Sequence, residues 1–282
     1  MTPSRTRLGI FARVFPVQPA ADLAALIGGL GFGCVQLNLT ALGHPTVPSL
    51  TVLTSLDLPR IRADFDHAGV AIWGLSGTYN MAHPNPSVRR EQTHRAAALI
   101  ERSAELGVVA VSLCTGTRDP DDQWRGHPGN SSPEAWNDML ASFDVLLPAA
   151  RSAGVKLAVE PEPANVVSDT DAAVRLLDEL GTSGESIGFI LDPANLVAER
   201  APHEHDAVLA DAFDRLGPRT ICVHAKDIVP WSDRLAGTSG LDFANIGRLV
   251  GELPSTVPVV IQDTEPRDVA GVRDLLIDAL AR

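Results

Sequence analysis

The sequence is poor in cysteine, in aromatic residues and in basic charge. Its 282 residues include 3 cysteines and one tyrosine, and 5% of them are aromatic. Three scattered cysteines are too few for a disulfide framework or a paired-cysteine zinc knuckle, and they suit a reducing compartment. Lys and Arg total 23 against 35 Asp and Glu, which gives a net charge of −12. An acidic chain with few aromatic side chains is an unsuitable partner for nucleic acid.

Long apolar runs and composition breaks are also absent from the sequence. No stretch is continuously apolar over the roughly 18–20 residues of a membrane span, so we expect no membrane partner. The basic and then apolar N-terminus resembles a signal peptide superficially, but Arg13 and Pro16 interrupt the apolar run, and no cleavage-like site follows it. We therefore expect a cytoplasmic protein. No linker divides the chain, so we expect one domain over residues 1–282.

Short apolar runs alternate with longer segments of helical periodicity along the chain. The predicted strands lie at about 8–15, 34–39, 70–76, 108–115, 155–161, 187–192, 220–227 and 257–263. The predicted helices lie at about 19–30, 57–68, 87–106, 133–153, 169–181, 204–216, 242–252 and 267–281. This alternation predicts an α/β fold, a single-domain (β/α)8 TIM barrel. A doubly wound open sheet is the alternative, but the chain lacks the GxGxxG and GxxxxGK[ST] motifs of its nucleotide-binding versions.

Four of the predicted strands carry a polar residue at the C-terminal end. These residues are Glu160, Asp192, His224 and Gln262, and successive members lie 32, 32 and 38 residues apart, one βα unit each. The strands of a parallel barrel end at the face where its active site lies, so the four side chains should converge there. Two carboxylates, an imidazole and an amide oxygen suit Mn²⁺, Mg²⁺ or Co²⁺ better than a structural zinc ion.

Each of these residues has an ordinary structural interpretation when it is taken alone. A carboxylate after a strand commonly caps the next helix or lies in a turn. A histidine in an apolar run is commonly a core residue with satisfied hydrogen bonds. The occurrence of all four at successive strand ends favours a shared metal site over four separate explanations.

The segments around these residues resemble a known family. Glu160 in VEPEPAN, Asp192 in LDPAN, His224 in VHAKD and Gln262 in IQDTEP are similar to the metal-binding strand ends of the xylose-isomerase-like barrels, the sugar phosphate isomerase/epimerase superfamily. The segments GLSGTYNMAHP and GTSGLDF extend the resemblance. It implies one divalent metal ion (Mn, Mg or Co, with Zn as an option) and a small-molecule carbohydrate or polyol as partner. A homo-oligomer is compatible with it, because members are often dimers or tetramers.

The resemblance implies a metal-dependent sugar isomerase or epimerase. Such an enzyme removes a proton beside the carbonyl of a ketose or keto-polyol and stabilises the resulting enediolate with its metal. Glu160 is the implied catalytic base. In the epimerases the strand-8 ligand is normally a glutamate that also exchanges a proton, whereas the amide of Gln262 cannot do so. Asp263 should face the other way if the strand continues regularly, and Glu265 lies in the following loop.

The departure at Gln262 leaves other functions open. One is a dehydratase or eliminating lyase that acts on a keto-sugar or keto-inositol. Another is a sugar-binding barrel that has lost catalysis. A nuclease similar to endonuclease IV would need more metal-binding histidines and a basic groove, which 8 His and a net charge of −12 disfavour.

Seven further residues are predicted to contact substrate: Glu162, His83, His127, Arg125, Asn195, Lys226 and Trp73. Glu162 shares the face of Glu160, and Lys226 that of His224, if each strand stays extended. The alternative for Lys226 is a structural salt bridge, and for Trp73 a place in the core. Arg125 and His127 lie in the loop after the fourth strand, where the alternative is a solvated lid.

Overall fold

The computed structural model describes residues 7–281, and its sheet is a closed barrel. Eight parallel strands follow one another in sequence order, and the last pairs with the first. They are β1 (Leu8–Phe11), β2 (Cys34–Leu37), β3 (Ala71–Ser76), β4 (Ala110–Leu113), β5 (Lys156–Val159), β6 (Ile187–Leu191), β7 (Thr220–Ala225) and β8 (Val259–Ile261). The predicted (β/α)8 barrel is thereby confirmed over the open sheet. The outer limits of the predicted domain, Met1 and Arg282, lie outside the described residues.

Helices surround the barrel. They are α1 (Ala20–Gly29), α2 (Leu50–Ser55), α3 (Leu58–His67), α4 (Pro86–Ser103), α5 (Pro133–Ala153), α6 (Thr170–Leu180), α7 (Pro193–Val197), α8 (His205–Leu216), α9 (Trp231–Leu235), α10 (Phe243–Glu252) and α11 (Val269–Leu280). All the predicted helices are present, and the short α2, α7 and α9 are additional. Within residues 7–281, no helix is both long enough and apolar enough to cross a membrane.

The first strand is shorter than predicted. The expected strand over residues 8–15 ends at Phe11, and Ala12–Val14 form a 3-10 turn closed by a hydrogen bond from Phe15 N–H to Ala12 O. Ala12 and Phe15 are buried, so the apolar pattern reflects packing rather than sheet pairing. The chain therefore leaves the barrel wall earlier, which brings Arg13 to its C-terminal mouth.

A glycine ends the helix before β5 and sets where that strand begins. Gly154 follows α5 with φ 68°, in the left-handed region that favours glycine. The next amide, Val155 N–H, bonds back to Ala150 O at 3.0 Å, which satisfies a carbonyl of the last helical turn. The chain then enters β5 directly, so the turn sets the position of Glu160 four residues beyond Lys156.

Two aspartates anchor the excursion between β7 and α10, which includes α9 and ends in the segment GTSGLDF. The carboxylate of Asp227 accepts hydrogen bonds from Ile228 N–H at 2.7 Å and Leu241 N–H at 2.9 Å, at opposite ends of the excursion. Asp242 caps α10 by accepting from Ala244 N–H at 2.9 Å. The excursion is thus anchored at the barrel mouth beside the end of β7.

Side chains fill the barrel interior in two layers. The lower layer is apolar and includes Cys34, Trp73, Ala110, Ala158, Ile190, Cys222 and Val260. Alternate residues of a strand face the same side, so the residue two positions further along also points inward. These next residues are polar on six strands: Gln36, Ser112, Glu160, Asp192, His224 and Gln262. The polar layer therefore lies at the C-terminal mouth, above an apolar floor.

Candidate metal centre and substrate cavity

Three side chains from neighbouring strands converge at the barrel mouth. Glu160 follows β5, Asp192 follows β6 and His224 is the penultimate residue of β7. Each offers one ligand atom, and these atoms all lie within 4.8 Å of one another. His224 Nδ1 is 3.2 Å from Glu160 Oε1, and all three side chains are buried. Two carboxylates and one imidazole nitrogen form a donor set that can hold a divalent cation.

Asp192 caps a helix with one oxygen and leaves the other without a partner. Its Oδ1 accepts hydrogen bonds from Ala194 N–H at 2.9 Å and Asn195 N–H at 3.2 Å, and Pro193 suits the first helical position. Its Oδ2 is buried and has no hydrogen-bond donor among the described residues. A buried carboxylate oxygen without a partner is costly, and a bound cation would satisfy it.

The imidazole of His224 is held at both nitrogens. Its Nε2 is 2.8 Å from Gln36 Oε1, an acceptor suited to an N–H on Nε2, and Nδ1 faces the cluster. The amide of Gln262 contacts Nδ1. Rotation of that amide exchanges its nitrogen and oxygen, so the same position can offer an oxygen atom to a cation.

Burial disfavours the charged form of each of the three residues in the cluster. It raises the pKa of Glu160 to about 7, although the charge of Lys226 and a hydrogen bond from Asn195 act against the shift. Burial, reinforced by the charge of Glu160, raises the pKa of Asp192 to about 7. Burial lowers the pKa of His224 to about 4. A divalent cation would offset these costs, so the cluster fits such an ion.

A chain of hydrogen bonds connects Glu160 to a lysine. Asn195 Nδ2 donates to Glu160 Oε1 at 3.0 Å, and Lys226 Nζ donates to Asn195 Oδ1 at 3.2 Å. Lys226 also forms an ion pair with Asp263 at 3.3 Å. Burial lowers the pKa of Lys226, but the carboxylates of Asp192 and Asp263 outweigh it and the pKa is raised. Lys226 therefore carries a positive charge beside the cluster.

A cavity of about 300 Å³ opens next to these residues. This volume is at the lower end for ligand pockets and suits a small molecule. Glu160, Glu162, Lys226 and Gln262 line it, together with mostly polar side chains. The carboxylate of Glu162 accepts from Asn165 Nδ2 at 2.8 Å, and burial together with the charge of Glu160 raises its pKa to about 7. The cavity thus holds a second carboxylate close to the cluster.

Comparison with known proteins identifies the family. The model of the xylose isomerase-like TIM barrel family matches residues 24–268. The chain belongs to this family. No curated protein matches the sequence. The resemblance derived from the strand ends is therefore confirmed at the level of the family.

Solved structures of similar fold include three enzymes. A 3-keto-D-glucoside 4-epimerase from E. coli is 18% identical with a TM-score of 0.70, and 98% of each chain is covered. A D-psicose 3-epimerase from Clostridium cellulolyticum H10 is 13% identical with a TM-score of 0.72, covering 98% of this chain and 99% of that one. A probable 3-DHS dehydratase from Bacillus anthracis is 12% identical with a TM-score of 0.68, at 98% and 99% coverage. At these identities the likeness establishes the fold.

In this xylose isomerase-like barrel, two predicted loop contacts lie away from the cavity. His127 is exposed, and its Nδ1 accepts from Gly129 N–H at 3.0 Å, so the ring caps a turn. Arg125 pairs with Asp119 at 3.1 Å and with Asp122 at 3.5 Å. Two other residues of this loop, Gln123 and Trp124, line the cavity instead. Ion pairs engage Arg125 and a turn cap engages His127, so neither side chain lines the cavity. The residue types in this loop do not reveal these local contacts.

The two candidates around β3 also lie off the cavity. His83 Nδ1 accepts from Asn85 N–H at 3.0 Å, and its Nε2 is 3.1 Å from Pro120 O, so the ring braces the start of α4. Trp73 is buried in the apolar floor below the polar layer, because it lies too early in β3 to reach the mouth. Neither His83 nor Trp73 lines the cavity.

The sequence predictions omitted several residues that line the cavity, Gln36 and Arg13 among them, and placed Asp263 on the wrong face. Gln36 and Arg13 both line the cavity, and only the polar residue within the apolar run CVQL signalled the first of them. Asp263 was expected to face away from the site. Because β8 ends at Ile261 and Asp263 adopts φ 51°, its carboxylate instead lines the cavity and lies between Lys226 at 3.3 Å and Arg13 at 3.8 Å.

Proposed function

We propose that this protein is a divalent-metal-dependent sugar isomerase or epimerase that removes a proton beside the carbonyl of a ketose or related keto-polyol. The observation that carries the proposal is the buried cluster of Glu160, Asp192 and His224 beside a small polar cavity. The epimerases among the structures of similar fold, named for D-psicose and for a 3-keto-D-glucoside, support it.

Glu160, Asp192 and His224 would hold the ion, and Gln262 would add an amide oxygen. This oxygen-rich donor set favours Mn²⁺, Mg²⁺ or Co²⁺, and Zn²⁺ also accepts ligands of these types. A bound divalent cation would polarise the carbonyl of a hydroxy-ketone and stabilise the negative charge that develops on its oxygen. The cluster lies on a rigid barrel rather than on loops, which favours a fixed arrangement of charges.

The proton transfer falls to the carboxylates of the cavity. In the proposal Glu160 takes the proton, and Asn195 orients the carboxylate of Glu160 through the hydrogen bond to its Oε1. A carboxylate whose pKa lies near neutrality is suited to proton exchange, which the raised pKa of Glu160 provides. Since the amide of Gln262 cannot exchange a proton, Glu162 is the second group that we assign to this task, because it lines the same cavity.

A dehydratase or eliminating lyase is the second candidate, and one observation favours it. The ammonium group of Lys226 lines the cavity, held by Asn195 and Asp263. A cationic group in that place is able to hydrogen-bond to a leaving hydroxyl group of a keto-sugar or keto-inositol and to stabilise the negative charge that develops on its oxygen. The probable 3-DHS dehydratase of similar fold supports this alternative.

Metal analysis combined with solvent-deuterium exchange tests both candidates. Purified protein is analysed for Mn, Co, Mg and Zn and is then incubated in D₂O with a panel of ketoses and keto-inositols. We expect about one bound divalent ion and deuterium at the carbon beside the carbonyl. Glu160→Gln should abolish the exchange, while the exposed control Glu134→Gln should retain it.

The labelled carbon and the product distinguish the reactions. Inversion at the labelled carbon indicates an epimerase, a moved carbonyl an isomerase, and loss of water a dehydratase. Metal without exchange on the whole panel would favour a sugar-binding role. Absence of any bound divalent ion would refute the proposed site.

A further inference from the structure

An amide side chain in the polar layer has both ends satisfied inside the barrel. Gln36 points inward from β2 and is 2% exposed. Its Oε1 is 2.8 Å from His224 Nε2, and its Nε2 donates to Ser112 Oγ at 3.1 Å. Ser112 in turn lies 3.4 Å from Ser76 Oγ. Burying an amide is costly unless its groups are hydrogen-bonded, so this chain of contacts fixes the orientation of Gln36.

The imidazole of His224 has two acceptors that compete for one proton. A neutral imidazole carries a single N–H. Glu160 Oε1 lies 3.2 Å from Nδ1, and Gln36 Oε1 lies 2.8 Å from Nε2. If the proton lies on Nε2, the lone pair of Nδ1 is directed at the cluster of carboxylates. If it lies on Nδ1, that nitrogen cannot act as a ligand.

We propose that Gln36 is a positioning residue that holds the proton of His224 on Nε2 and thereby keeps Nδ1 free to bind a cation. This inference rests on the proposed metal site. Without Gln36, the acceptors at the ring lie on the Nδ1 side. They are Glu160 Oε1 and, once its amide rotates, the oxygen of Gln262, whose nitrogen otherwise faces Nδ1. The proton would then move to the side where it blocks coordination.

The choice of an amide at this position also has an electrostatic reason. Glu160 and Asp192 already place two carboxylates in the buried cluster. A carboxylate at position 36 would add a third negative group to the polar layer, whereas an amide accepts the same hydrogen bond without charge. Gln36 therefore orients the ring and leaves the charge of the cluster to the residues that face the ion.

The tautomer of His224 can be measured without any metal. Histidine side chains of the metal-free protein are labelled with ¹⁵N, and the signal of His224 among the 8 histidines is identified by its loss in His224→Asn. We expect a protonated Nε2 in the wild type and a shift of the proton to Nδ1 in Gln36→Leu. Gln36→Glu restores the acceptor and should restore the Nε2–H form.

Metal affinity provides the second readout. Removal of a partner that orients a metal-ligating histidine typically weakens metal binding by roughly 10–100-fold, and we expect that range for Gln36→Leu in a calorimetric titration with Mn²⁺ or Co²⁺. Gln36→Glu should bind at least as tightly as the wild type. The matched control is Gln92→Leu on α4, a half-buried residue whose buried amide oxygen has no partner among the described residues, and the affinity of this variant should be unchanged.

The outcomes separate positioning from simple folding. If Gln36→Leu is too unstable to study, Ser112→Ala removes the other anchor of the amide and should shift the tautomer in the same direction. The inference is overturned if Gln36→Leu keeps the Nε2–H form, or if Gln36→Glu loses as much affinity as Gln36→Leu. If the wild type binds no divalent ion, the proposed function fails, and the tautomer data still report whether Gln36 holds the ring.

Discussion

Replacing Asp192 by asparagine should change how the stability of the metal-free protein depends on pH. Burial and the charge of Glu160 raise the pKa of Asp192 from 3.8 to about 7 in the folded chain. An acid whose pKa is raised by folding stabilises the protein fully below its unfolded value, and this stability is lost as the pH rises through the folded value. The window for Asp192 therefore runs from about pH 4 to pH 7.

The magnitude follows from about 1.4 kcal/mol per pH unit. Between about pH 5 and the folded pKa near 7, ionisation of Asp192 should cost the fold roughly 3 kcal/mol, and above pH 7 the loss is complete. The substitution keeps the helix cap, because asparagine is also a good capping residue and its side-chain oxygen can still accept from Ala194 N–H. Any cost of the buried amide is independent of pH, so the change in slope reports the ionisation of Asp192 together with its effect on the neighbouring Glu160.

The assay is urea unfolding in the presence of a chelator at about pH 5 and pH 8. We expect the wild type to lose roughly 2–3 kcal/mol more than Asp192→Asn over this interval. The control is Asp169→Asn, which changes a similar cap at the start of α6, where Oδ1 accepts from Ala172 N–H at 2.9 Å. Parallel pH profiles for the wild type and Asp192→Asn would refute the reasoning that Asp192 is a buried, uncompensated carboxylate.

Three further predictions concern the ion, the fourth ligand and the fold. Because protons on Glu160 and Asp192 compete with a cation, and their pKa values are about 7, Mn²⁺ affinity measured by calorimetry should rise from pH 6 to pH 8; a flat profile would contradict this. Gln262→Glu adds a carboxylate beside His224 and should tighten Mn²⁺ binding in the same titration, with weaker binding as the contrary result. Gly154→Ala should lower the free energy of unfolding in urea by roughly 1–2 kcal/mol. The cost comes from the left-handed backbone, with φ 68°, and not from a clash, since an added Cβ would meet no atom within 4 Å. An unchanged stability would show that the turn relaxes.

The position of the candidate metal ligands could be predicted because it depends on two regular features. Polar residues end successive apolar strands at intervals of one βα unit, and a closed parallel barrel brings those ends to one face. Glu160, Asp192 and His224 follow this rule, since each lies two residues beyond an inward apolar residue of its own strand. The pattern can be recognised in each strand separately, and closure of the barrel brings the three side chains together into one cluster.

The loop contacts could not be predicted in the same way. Arg125 and His127 have side chains suited to substrate, but Asp119 and the turn at Gly129 engage them first. Trp124 beside them lines the cavity. In an irregular loop no period relates one side chain to the next, so the direction of each depends on nearby hydrogen bonds and ion pairs.

By itself, the sequence determined the barrel, the family and the strand ends that form the cluster, because hydrophobic periodicity and strand spacing are local properties of the chain. Only the tertiary structure decided that Gln36 contacts His224, a residue 188 positions away, and that Asp263 lines the cavity. The first depends on which strands meet across the barrel interior. The second depends on a backbone turn at φ 51°, which no side-chain pattern encodes.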